Sequence, residues 1–230
     1  MLSSELLITV PKMPTLFLVW SLIAIPVIAA LYCIGFLFKR ADLEKYYVLP
    51  KCAASFLCVG SAVLAVLLSG GHPFHHPLFW ALIFCLLGDF LIEYQIIAGG
   101  LSFAIGHCIL IVYALSIVPP RLPAILLWIA GVVIVVLIFK KEIPQMGKLF
   151  LPFLIYVTIL VGDLATAVML PSVHAGFIAY AAGLACFVTS DVILGKRQFG
   201  HDHPALPKIL MALYYAALYL IAASLWFTLS

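Results

Sequence analysis

Long apolar runs, cut at intervals by short polar or turn-forming clusters, leave this chain very few folds. The cuts fall at Lys39-Arg40-Ala41-Asp42, Ser69-Gly70-Gly71-His72-Pro73, Pro119-Pro120-Arg121 and Lys140-Lys141-Glu142-Ile143-Pro144, residue types that punctuate helices. Between and around them lie eight apolar segments, at 16–38, 52–69, 77–98, 101–118, 122–139, 149–170, 173–195 and 208–229. Each matches one bilayer crossing, which takes about 20 residues. Gly99-Gly100 is the expected turn between the third and fourth, because glycine adopts positive φ freely. Pro26 falls inside the first segment, where membrane helices tolerate it. The pattern predicts an all-α polytopic membrane protein with eight transmembrane helices in a single domain, residues 1–230. Glu5 and Lys12 precede the first segment without a basic stretch, so it reads as a permanent helix rather than a cleaved signal.

Composition narrows the function. Of 230 residues, 66% are hydrophobic and 9% charged, against about 25% charged in a soluble domain. Too few charges remain for a nucleic-acid surface, and almost no length is expected to remain for an extramembrane domain. Chemistry must sit inside the bundle or at its mouth. The six cysteines lie in or at the ends of the segments without a CxxC and read as packing residues. His72, His75, His76, His174, His201, Asp202 and His203 cluster in loops without zinc-type spacing, so no metal and no other cofactor is expected.

Basic residues fix the expected orientation. With eight crossings, Lys39, Arg40, Lys45, Lys51, Lys140, Lys141, Lys148, Lys196, Arg197 and Lys208 share one side, and Lys12 and Arg121 take the other. The positive-inside rule makes the first side cytoplasmic and puts both termini outside.

Charges within spans are costly and functional by default. At 1.5 Å per residue, Asp89 lies about 13 Å from the cytoplasmic end of its span, Glu93 about 8 Å, His107 about 9 Å and Asp191 about 6 Å. Tyr156 and Tyr215 each lie about 10 Å in, and Lys51 sits at the mouth. A shared depth on several spans implies one polar cavity facing the cytoplasm. Asp163 stands apart, nearer the outer side, with no cation at its depth. Asp89 and Glu93, four residues apart, project from one helix face. Close carboxylates repel and favour retention of a proton, which suits acid–base chemistry. A proton-coupled carrier is the alternative reading, since transporters also carry intramembrane carboxylates.

Several motifs occur in order: Gly88-Asp89, then Gly100-Leu101-x-Phe103-x-x-Gly106-His107, then Phe187-x-x-Ser190-Asp191-x-x-Leu194 with Phe199, then Tyr214-Tyr215-x-Ala217. Together they resemble the YhhN family, the lysoplasmalogenases. One departure is Leu218, where members often carry Gln. The resemblance implies an integral membrane hydrolase that splits the vinyl ether of lysoplasmalogen into a fatty aldehyde and glycerophosphoethanolamine or glycerophosphocholine. It implies Asp89 and Asp191 as the catalytic pair. Asp89, deeper by count, is expected to be the general acid and Asp191 to activate water, the reverse remaining open. Lys51, Lys196 and Arg197 are expected to hold the phosphate. Glu93, His107, Tyr156, Ser190, Tyr214 and Tyr215 complete the expected substrate contacts. A bacterial inner membrane, with the site toward the cytoplasm, is the expected location.

Overall fold

Apolar segments of this length satisfy their backbone polar groups only as helices once water is removed. The computed structural model describes residues 13–41, 43–200 and 205–229, and among them there is no strand. The described residues form nine α-helices: α1 (Met13–Arg40), α2 (Glu44–Leu68), α3 (Pro77–Ile92), α4 (Ile96–Ile117), α5 (Leu122–Ile138), the single turn α6 (Ile143–Met146), α7 (Phe150–Ala167), α8 (Phe177–Gln198) and α9 (Leu206–Thr228). Residues 1–12 and the His201-Asp202-His203 cluster lie outside the described residues.

Each expected segment carries a helix. Among the described residues, six stretches are long and apolar enough to cross a membrane: α1, α2, α4, Ile143–Ser172 around α7, α8 and α9. The chain is therefore an integral, multi-pass all-α protein. The other two helices are shorter: α3 has 16 residues and α5 has 17. Sixteen residues rise about 24 Å, less than the roughly 30 Å hydrocarbon core. Proline opens α3, α5 and α9, where its missing N–H is no loss. His76 also caps α3, accepting from the Leu78 amide at 3.3 Å.

The helices form a closed circuit. α1 packs on α2, α2 on α3, α3 on α4, α4 on α7, α7 on α8 and α8 on α9, while α9 returns to α2 and α1. α9 is the most enclosed span, with 67% of its most apolar window buried, against 11% for α1. Trp226 of α9 is fully buried and donates to the Ser61 carbonyl at 3.1 Å. α5 stands outside the circuit, against α7. A second small core of Val135, Phe139, Met146, Val157 and Val161 holds it there.

The α3–α4 turn differs from expectation. It runs over Glu93–Gln95, and Gly99 and Gly100 lie inside α4. The physical reason is packing: a Cβ on Gly99 would lie 2.6 Å from the Ile92 Cα. Gly99 therefore permits contact between the two helix backbones, and no left-handed turn is involved. α3 consequently ends six residues before the expected segment does, so Asp89 lies within one turn of its end. α4 begins five residues early, which carries His107 about three turns into its helix.

Candidate active site

Asp89 and Asp191 line one cavity of about 380 Å³. It lies among the last turns of α1, α3 and α8 and the first turns of α2 and α9, the end of the bundle where the basic residues gather. Asp89 is 1% exposed. Its Oδ2 accepts from Ser55 Oγ at 2.5 Å and from the Tyr214 hydroxyl at 2.7 Å. Lys51 Nζ stands 3.6 Å from its Oδ1. Lys51 is itself buried. It also donates to Glu93 Oε1 at 2.7 Å and to the Asp89 carbonyl at 3.2 Å. The four-residue spacing of the two acids thus lets one ammonium bridge both.

Asp191 is bound differently. The Tyr156 hydroxyl donates to its Oδ2, and the residue is half-buried, where Asp89 is fully buried. Ser190, one residue before it, is buried and donates to the Leu210 carbonyl at 3.2 Å, tying α8 to α9. Tyr215, beside Tyr214, lines the cavity too. The Tyr214 and Phe187 rings meet edge to face, with centroids 5.5 Å apart, a stable aromatic geometry.

Lys51, Glu93, Ser190, Arg197, Tyr214 and Tyr215 therefore join both aspartates at the cavity. Tyr156 reaches it through Asp191. His107 and Lys196 are placed elsewhere. Lys196 donates to the Ile138 carbonyl at 2.6 Å and to buried Glu142 at 2.7 Å, capping the C-terminal end of α5, where a cation is favoured. His107 lies fully buried against Asp163, Nδ1 to Oδ2 at 2.8 Å. The expectation that Asp163 has no partner at its depth is corrected by the early start of α4. His107 Nε2 and Asp163 Oδ1 have no hydrogen-bond partner among the described residues. The ring of His107 meets Phe187 at 4.5 Å and Tyr156 at 6.4 Å, so the pair lies behind the Tyr156–Asp191 contact.

Sequence reasoning did not single out Ser55, Lys39 or Tyr47 as site residues. Ser55 follows Lys51 by four residues, a spacing that puts both on one face. Lys39 and Tyr47 line the cavity mouth, with Lys39 Nζ 3.8 Å from the Tyr47 ring centroid, a cation–π contact.

A multi-pass helical membrane protein whose carboxylates converge on one cavity is the class this arrangement defines. A family model, described as the YhhN family, matches residues 46–225; the chain belongs to that family. No curated protein and no solved structure matches it.

Proposed function

We propose that this chain is a membrane-embedded hydrolase of the lysoplasmalogenase type, and that Asp89 and Asp191 are its catalytic pair. The observation that carries the reading is that these two residues, from α3 and α8, line the same cavity. Hydrolysis of a vinyl ether begins with protonation of the alkene carbon remote from oxygen. The oxocarbenium ion that results is attacked by water, giving a hemiacetal that collapses to aldehyde and alcohol. Two carboxyl groups in different surroundings do comparable work on glycosides.

The donors suggest the division of labour. Asp89 faces two hydroxyls and the Lys51 ammonium, surroundings that suit a full negative charge. Asp191 has the Tyr156 hydroxyl as its one side-chain donor and no ion-pair partner among the described residues, which suits a group that carries the proton. Asp191 is therefore the acid, and Asp89 steadies the cation and guides water, the reverse of the depth-based expectation. Arg197 and Lys39, which line the cavity, supply the cations for the phosphate. Eight crossings, with the basic end toward the cytoplasm of a bacterial inner membrane, complete the reading. Purified protein incubated with lysoplasmalogen is expected to release fatty aldehyde. No aldehyde above a protein-free control would overturn the reading in favour of a carrier.

A further inference from the structure

A second concavity, of about 750 Å³, lies beside the first on the lipid-facing side of the bundle. α1 and α3 both pack on α2 and stand on either side of a trough whose floor is α2. Ala53 and Phe56 form part of that floor, Val27 and Leu31 one wall, and Leu87 and Phe90 the other. No charged side chain lines it among the described residues.

The trough is continuous with the cavity that holds the carboxylates. Leu31 lines both. Along α1 the positions Val27, Leu31, Gly35 and Lys39 recur every four residues, one stripe on one helix face. The first two lie in the trough, and Leu31, Gly35 and Lys39 line the cavity. On α2 and α3, neighbouring residues divide between the two, Lys51 and Asp89 in the cavity and Cys52 and Phe90 in the trough, because consecutive helix residues project about 100° apart. Along α1, then, an apolar wall leads through Leu31 to the cavity that holds the carboxylates and to Lys39. That order matches an amphiphile with one hydrocarbon chain, a reactive join and an anionic head.

We infer that the trough between α1 and α3 is the subsite for the single hydrocarbon chain of a lysophospholipid, reached sideways from the bilayer. The inference deepens the proposed function and rests on it for the substrate class. A chain that leaves the bilayer for the trough exchanges one apolar medium for another, so the trough contributes by alignment: it places the first chain carbons at Leu31, on the edge of the cavity that Asp89 and Asp191 line.

The test uses the full chain in detergent with a lysophosphatidylethanolamine whose chain ends in a diazirine. Photolysis is followed by mapping of the adducts, and aldehyde release from lysoplasmalogen is measured in parallel. Adducts are expected on trough residues such as Phe56 and Leu87, displaced by unlabelled lysophosphatidylethanolamine. Ala53→Phe, which fills the floor, is expected to cut that labelling at least tenfold. Adducts spread evenly over the lipid faces, or not displaced by competitor, would overturn the chain subsite, and the map on the unaltered protein decides this even if the variant does not fold. Trough labelling without aldehyde leaves the subsite standing and overturns the hydrolase reading. Aldehyde without trough labelling overturns the subsite alone, and the absence of both overturns both.

Discussion

At the scale of single residues, the proposed reading ties two carboxylates to activity and one lysine to stability. Asp89→Asn and Asp191→Asn are each expected to lower aldehyde release by about 10²–10⁴-fold, the usual worth of a general acid or base. Both variants should still elute as single species in detergent. Tyr156→Phe removes the donor to Asp191 and should cost about tenfold in kcat, one hydrogen bond's worth. Lys196→Met should leave KM for substrate unchanged and lower stability by about 1–3 kcal/mol, because Glu142 loses a charged partner. A thermal melt paired with a substrate titration separates those two outcomes. The aspartates were legible in the sequence because charge inside an apolar run is rare. The roles of the cations were not legible. Lys51, Lys196 and Arg197 all read as mouth residues, and only the packing shows that Lys51 turns to Glu93 and Lys196 to Glu142.

At the scale of helices, the α3–α4 hairpin depends on a missing side chain. Gly99→Ala places a methyl 2.6 Å from the Ile92 Cα, against backbone that cannot rotate away. A loss of about 1–3 kcal/mol is expected, as for overpacking generally. Gly100→Ala meets nothing within 4 Å and should gain about 0.5–1 kcal/mol from helix propensity alone. Melting curves of the two variants in one detergent check the contrast, and equal shifts would refute the packing account. Apolar runs made all eight long helices legible. The boundary at Gly99 was not, because glycine marks both turns and close helix contacts, and local sequence does not tell these apart. The His107–Asp163 pair was hidden for the same reason: misplacing the start of α4 put the two partners at different depths.

At the scale of the whole molecule, the proposed orientation predicts where reagents reach. In a background lacking the six native cysteines, Arg121→Cys should react with an impermeant maleimide added outside intact cells. Lys141→Cys should react only after the membrane is opened, and the opposite pattern would invert the topology. A further consequence follows from the two openings of the site, one sideways into lipid and one at the basic end. Cleavage at their junction, on the proposed reading, leaves an oily fragment facing the bilayer and a water-soluble phosphate ester facing the aqueous side. Once each has moved into the phase that dissolves it, the two fragments no longer share a compartment. The reverse condensation then lacks a common meeting place, and partition between phases adds to a hydrolysis that is already downhill in water.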